Sequence, residues 1–159
     1  MKQEIKKTIK TRKGLSAQNI INFLNCVPYF IGCYADNELN LSVQSFPSFL
    51  IVNLDKSYMP GSHWIAIGIF KSNIEIFDSF GFNLLEWPRI PCGLLNFLHR
   101  ISVSRQIKLG KAIQSPDSVL CGFYSLFYVY ARQYISFEYI QNLFTNKLSS
   151  NDAYLLKLF

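Results

Sequence analysis

The sequence predicts a single α+β domain in which a central buried helix packs on a mixed or antiparallel sheet. Helical and strand patterns follow one another in the order helix, strands, helix, strand, helices. Residues 63–70 and 73–78 are two apolar runs joined by a short polar turn, which predicts a hairpin. Residues 121–134 are apolar on nearly every face, so a helix there must be buried on all sides.

The N-terminal elements follow from capping and apolar patterns. Ser16 is a good N-cap, and the amphipathic pattern after it predicts a helix that ends at about Asn25. Residues 26–46 mix Gly, Asp, Asn and Ser, and they predict mainly loop. Residues 48–54 are almost entirely apolar and predict a buried strand.

The remaining elements lie on either side of the central helix. Residues 94–101 predict a short helix, and residues 106–109 alternate like a strand that Gly110 ends. Residues 136–146 and 151–158 predict two shorter amphipathic helices.

Charge is concentrated at the N-terminus. Residues 1–13 contain six of the sixteen Lys and Arg residues and one of the ten acidic residues, so this arm carries +5 of the net charge of +6. We therefore divide the chain into a basic arm, 1–13, and one domain, 14–159. Such an arm suits a polyanion such as nucleic acid, and a solvated terminus explains it equally well.

The cysteines predict free thiols and no metal site. They form no C-x-x-C pair, and the sequence has only two histidines, so a zinc site is not expected. The N-terminus has no apolar segment of the secretory type, and the longest apolar run, Val119 to Ala131, is too short to span a bilayer. We expect an intracellular, reducing compartment and no membrane partner. The four cysteines are Cys26, Cys33, Cys92 and Cys121.

Four polar residues carry chemistry in the order His63, Asp78, Gln114, Cys121. Cys121 would stand in the first turn of the buried helix, where the helix dipole and free N–H groups favour a thiolate. His63 could exchange protons with that thiol, and Asp78, across the hairpin, could orient the imidazole. Gln114 could donate to an oxyanion together with the Cys121 backbone N–H.

Each of the four residues also has an ordinary structural explanation. A lone cysteine is often a small buried hydrophobe, and a histidine beside a tryptophan in a strand is often a core residue. An aspartate before a glycine is common in turns, and a glutamine is common in loops. Four separate explanations of this kind do not account for the ordered set.

The segments around these residues resemble the adenovirus-type cysteine endopeptidases (adenain-like), within the ubiquitin-like-protein protease clan. Papain-like enzymes place the cysteine before the histidine and do not fit. The similarity spans about residues 16–134, and the order of motifs is specific. The matching segments are Pro28-Tyr29-Phe30-Ile31-Gly32-Cys33-Tyr34, Gly61-Ser62-His63-Trp64, Phe77-Asp78-Ser79-Phe80-Gly81-Phe82 and the block from Gln114 to Gly122.

The resemblance implies a cysteine endopeptidase that cleaves viral precursor and structural proteins, often at sites with small residues such as Gly. By carry-over, Cys121 is the nucleophile, His63 the general base and acid, Asp78 the orienting acid and Gln114 an oxyanion donor. It also implies a source in an adenovirus-related virus, a virophage or a Polinton-type element. The location would then be the host nucleus or cytoplasm and the virion, and we expect a monomer.

The resemblance also bears on cofactors. Adenoviral members use DNA and a peptide that is disulfide-linked to a cysteine eleven positions before the Gln. Val103 occupies that position here, so a covalent peptide activator is not expected. We expect that the chemistry itself needs no cofactor, and DNA or a peptide stays open as an activator. Non-specific DNA contact through the basic arm would use phosphates, because residues 1–13 match no base-reading motif.

Two other functions remain open from the sequence. A deubiquitinase or ubiquitin-like-protein isopeptidase would use the same four residues. A catalytically inactive relative that binds nucleic acid or capsid would keep the fold and the basic arm without using Cys121.

Overall fold

The computed structural model describes residues 14–81 and 90–159, and within them it contains a five-stranded mixed sheet with helices on both faces. The strands lie in chain order across the sheet. The outer pairs, β1/β2 and β4/β5, are parallel, and the two inner pairs are antiparallel. The strands are β1 (Phe30–Ala35), β2 (Ser48–Asn53), β3 (Trp64–Ile69), β4 (Asn73–Phe77) and β5 (Gln106–Leu109). The helices are α1 (Ala17–Leu24), α2 (Cys92–Ile101), α3 (Cys121–Ala131), α4 (Phe137–Asn142) and α5 (Leu148–Leu158).

The central strands are buried on both faces because each face carries its own apolar core. Along β2, Phe49 and Ile51 point into the core formed with α1 and α3. Leu50 and Val52 point to the opposite side, into the core formed with α2. This alternation follows from the two-residue period of a strand. The predicted α+β class, with a central helix on a mixed sheet, is confirmed.

Helix α3 is the predicted buried helix. All of its residues except Phe127 and Tyr130 are buried, and it packs across β3. The helix ends at Ala131, and not at residue 134 as predicted. Arg132 caps it, and Tyr134 is exposed. The residues that follow Ala131 are Arg132, Gln133 and Tyr134, so the apolar stretch and the helix end together.

The prediction of mainly loop over residues 26–46 was wrong in its first half. Phe30–Ala35 form the edge strand β1, and Asp36–Glu38 form a 3₁₀ turn. The strand is only half-buried, and Gly32 interrupts it with φ +140 and a shift of register against β2. Phe30–Ala35 is apolar apart from Gly32, and the glycine, which is depleted in strands, together with the polar residues after Ala35 hid this short edge strand.

The other predicted elements are present, with boundaries that shift by a few residues. Ser16 caps α1: its hydroxyl accepts from the Asn19 N–H, and the Asn19 side chain accepts from the Ser16 N–H. The basic arm, residues 1–13, and Phe82 lie outside the described residues. None of the helices in the described part of the chain is long and apolar enough to cross a bilayer.

A buried ionic cluster fastens the C-terminal end of α3 to the sheet. The Glu75 carboxylate on β4 accepts from the Tyr128 hydroxyl at 2.8 Å and from the Arg132 Nε at 2.9 Å. Glu75 is 1% exposed, and the Arg132 guanidinium also lies 4.6 Å from the centre of the Phe70 ring. Removing one partner of such a pair leaves a buried charge without compensation.

We predict that Arg132→Met lowers the free energy of unfolding by about 3 kcal/mol, because it leaves the buried Glu75 carboxylate without a positively charged partner. The matched control is Lys108→Met, which breaks the exposed Lys108–Glu138 pair at 2.7 Å. That control should cost about 1 kcal/mol or less. Urea unfolding of both variants provides the measurement, and equal losses would contradict the role given to the buried cluster.

Candidate active site

His63 and Asp78 meet because they flank neighbouring antiparallel strands. His63 directly precedes β3 and Asp78 directly follows β4, so both lie at the same edge of the sheet. The His63 Nε2 lies 2.7 Å from the Asp78 Oδ1, and both residues are buried. The separation of fifteen residues thus brings the imidazole and the carboxylate into direct contact, as the hairpin pattern predicted.

The Asp78 carboxylate is held in place by the turn that follows it. Its Oδ1 also accepts from the Phe80 N–H at 2.8 Å, and its carbonyl accepts from the Gly81 N–H at 3.0 Å. Gly81 has φ +84, and a Cβ there would lie 2.8 Å from the Ala112 backbone nitrogen. The turn therefore requires glycine, and it fixes the carboxylate that faces His63.

The environment of His63 favours the protonated imidazole. Burial by itself lowers the pKa, but the Asp78 hydrogen bond, the Cys121 thiol and their charges raise it, to about 9. The Phe80 ring adds an apolar cover, with its centroid 4.8 Å from that of the imidazole. The pKa of His63 therefore depends on the carboxylate that faces it.

The second ring nitrogen of His63, Nδ1, is available to interact with the Cys121 thiol. With Nε2 bound to Asp78, Nδ1 has no hydrogen-bond partner of good geometry among residues 14–81 and 90–159. The Cys121 side chain is nevertheless near enough to raise the pKa of the imidazole. Hydrogen bonds between catalytic groups are often long in a free protein and tighten when substrate binds.

Cys121 takes its position from the docking of α3. It is the first residue of the helix, 6% exposed, and the N–H groups of a first helical turn have no partner within the helix. Near it, the Trp64 Nε1 donates to the Leu15 carbonyl at 2.9 Å, and the Ser125 hydroxyl donates to the Trp64 carbonyl at 3.3 Å. The residue after His63 thus connects the start of β3 to both α3 and the segment before α1.

Gln114 is buried beside the site, with both ends of its amide engaged. Its Oε1 accepts from the Ser79 hydroxyl at 2.6 Å, and its Nε2 donates to the Ser118 carbonyl at 2.7 Å. Nε2 carries two protons, so one N–H is not used by this bond. Gln114 does not line the groove described below, although residues of its own loop do.

A groove of about 810 Å³ runs past the thiol and provides room for a polypeptide. Its walls come from the segment before α1, the end of β1, the loop 56–62 and the loop that leads into α3. Cys121, Trp64, Phe80 and Ser118 are among the residues that line it. Within the described ranges there is no cluster of His, Cys, Asp or Glu that could hold a metal ion, and all four cysteines are free.

Sequence reasoning missed two residues that shape this site, Ser79 and Phe80. Ser79 contacts Gln114, and Phe80 lies against the His63 ring. Both stand between Asp78 and Gly81, in a segment whose predicted role rested on its acidic residue. The available signal was their adjacency to that acid, since a turn that positions a carboxylate also positions its next residues.

The fold and the site define a class of α+β proteins in which a thiol on a buried helix lies near an imidazole and a carboxylate at neighbouring strand ends. The chain belongs to the adenovirus endoprotease family, whose sequence profile matches residues 30–157. It is similar to a protein named Protease from bovine adenovirus C serotype 10, with 31% identity over 131 residues and 72% of this chain covered. The match spans 63% of the length of that relative.

We predict that Asp78→Asn lowers the pKa of His63 from about 9, because burial then acts without an opposing carboxylate. A raised pKa stabilises the fold below the unfolded value of about 6.5, and this stabilisation is lost as the pH rises through about 9. In Asp78→Asn, the free energy of unfolding should therefore not show the decrease that this histidine causes as the pH rises through about 9. NMR titration of the His63 ring and urea unfolding across pH 6 to 10 measure both effects. An unchanged His63 titration would contradict the prediction.

Proposed function

We propose that this protein is a cysteine endopeptidase that cleaves viral precursor and structural proteins. The observation that carries the proposal is the His63–Asp78 pair at 2.7 Å beside a thiol in the first turn of α3, at the edge of a groove that can hold a polypeptide. Membership of the adenovirus endoprotease family supports the viral substrate class. Since the match covers only part of the bovine adenovirus relative, the activity and the substrates are part of the proposal.

The proposed reaction follows from the positions of three side chains. The Nδ1 of His63 accepts the Cys121 proton, and the resulting thiolate attacks the scissile carbonyl carbon. The imidazolium, held by Asp78, then gives its proton to the leaving amine. Water attacks the thioester with His63 as general base, which releases the acid product and restores the thiol.

The tetrahedral intermediates need donors for their oxyanion. The Cys121 backbone N–H is available because the first N–H groups of a helix lack partners within it. The second N–H of the Gln114 amide is the other proposed donor, since Ser118 uses only one. Donors of this kind contribute about 3 to 4 kcal/mol each to the stability of the transition state.

We also propose that the chemistry needs no cofactor. The three side chains that carry the proposed reaction all belong to this chain, and exposed Val103 stands where the resemblance would require a linking cysteine. Non-specific DNA contact through residues 1–13 is proposed from their charge alone. Filter binding of the chain with and without residues 1–13 tests it, and equal affinity for DNA would overturn that part.

We predict that the purified chain, without added peptide or DNA, hydrolyses a fluorogenic peptide with Gly at the scissile bond. Cys121→Ala should lower kcat by about 10⁴-fold or more, because no other group can form the thioester. Cys92→Ala is the matched control, because Cys92 is an exposed thiol on α2 that does not line the groove, and it should keep the parental rate.

Cleavage by Cys121→Ala at the parental rate would contradict the endopeptidase. Activity that appears only when DNA is added would overturn cofactor independence and leave the role of Cys121 intact. A ubiquitin vinyl sulfone probe distinguishes the endopeptidase from a deubiquitinase or ubiquitin-like-protein isopeptidase. Covalent labelling of Cys121 by this probe, with no cleavage of the Gly peptide, would favour the isopeptidase.

A further inference from the structure

We infer that Ser79 is a positioning residue that orients the Gln114 amide toward the oxyanion. This inference rests on the proposed function, because it concerns how the proposed oxyanion donor is held. Ser79 is not one of the four residues that the sequence singled out. It is the residue next to Asp78 in the chain, and it has a separate set of contacts.

The contacts of Ser79 are directed at the loop that carries Gln114. Its hydroxyl donates to the Gln114 Oε1 at 2.6 Å, and its carbonyl accepts from the Ile113 and Gln114 backbone N–H groups at 2.8 and 2.9 Å. Both Ser79 and Gln114 are 1% exposed, so water does not compete for these bonds. The Ser79 side chain and backbone together fix both the position and the rotation of the Gln114 side chain.

The Ser118 carbonyl determines which end of the Gln114 amide is the N–H end, and the Ser79 hydroxyl holds the oxygen end in place. The Gln114 Nε2 donates to the Ser118 carbonyl at 2.7 Å, a partner that can only accept. At the other end of the amide, the Ser79 hydroxyl donates to the Gln114 Oε1. A rotation of the amide by 180° would place the carbonyl oxygen against the Ser118 carbonyl and lose that bond, whereas the Ser79 hydroxyl can also accept from an N–H group and would keep a bond to the amide.

This arrangement couples the two halves of the proposed mechanism through one turn. Asp78 faces the imidazole, and the next residue, Ser79, faces the amide. Any displacement of this turn would therefore move the acid and the oxyanion donor together. Preorganised donors stabilise the transition state because they do not have to reorient during the reaction.

The experiment compares Ser79→Ala with Ser48→Ala, because Ser48 is also 1% exposed and donates to a carbonyl at 2.6 Å, at the opposite end of β2 from the site. Ser79→Ala should lower kcat about tenfold or more, with KM unchanged within about twofold, because the donor acts only in the transition state. Ser48→Ala should keep kcat, and Ser79→Thr, which retains the hydroxyl, should recover most of it.

Alkylation of Cys121 by iodoacetamide separates the oxyanion from the thiol–imidazole pair. This substitution forms a carbon–sulfur bond and expels iodide without forming an oxyanion. Ser79→Ala should therefore keep both the alkylation rate and its pH profile while it loses kcat. In a Gln114→Ala background, Ser79→Ala should have no additional effect, since the two residues act as one unit.

Three results would overturn the inference: a parental kcat in Ser79→Ala, equal losses in kcat and in alkylation rate, or additive losses with Gln114→Ala. If the parental chain cleaves nothing, the proposed function has failed, which is a different outcome. If the Ser79 variants do not fold, NMR of the parental protein tests the orientation of the Gln114 amide instead. Addition of a peptide aldehyde, which forms a hemithioacetal with Cys121, should shift one Gln114 side-chain amide proton, and no shift would contradict the orientation.

Discussion

The packing of α3 across the sheet is the constraint on which the rest of the site depends. Cys121 belongs to this helix, whereas His63 and Asp78 belong to the ends of two strands, so only tertiary packing can bring them together. Bonds at both ends of the helix hold its position: Ser125 to the Trp64 carbonyl near the thiol, and Arg132 to Glu75 at the far end. Between these ends, each large apolar side chain that α3 buries contributes about 1.5 to 3 kcal/mol.

Burial of His63 lowers its pKa, and a carboxylate at the neighbouring strand end offsets this effect. A buried imidazole would lose its proton more easily than one in water, yet the site needs a histidine that can hold the proton between steps. The Asp78 carboxylate reverses the effect of burial on the His63 pKa, and the turn that ends at Gly81 holds this carboxylate. The same turn continues through Ser79 into the bond with Gln114. The side chains of Asp78 and Ser79, two consecutive residues of this turn, thus contact the imidazole and the amide respectively.

Most of the fold could be predicted because its central elements have strong local patterns. Strands β2, β3 and β4 are apolar runs with clear boundaries, and α3 is apolar all round. Edge strand β1 was missed because the Asp, Asn and Ser residues that follow it dominate the composition of residues 26–46, although Phe30–Ala35 is itself apolar except for Gly32. The contact between His63 and Asp78 followed from the hairpin, whereas the Ser79–Gln114 bond joins residues 35 positions apart that no local pattern relates.

The relative reactivity of the thiols tests whether the packing of α3 places Cys121 beside His63. Cys26 and Cys92 are exposed, and Cys121 is 6% exposed, so access alone would make Cys121 the slower thiol. We expect the opposite order, because Cys121 lies next to the His63 imidazolium, whose positive charge stabilises a thiolate. Limited treatment with iodoacetamide at neutral pH, followed by mass spectrometry of the peptides, should find Cys121 alkylated first. Alkylation of Cys26 and Cys92 with Cys121 still unmodified would contradict the account.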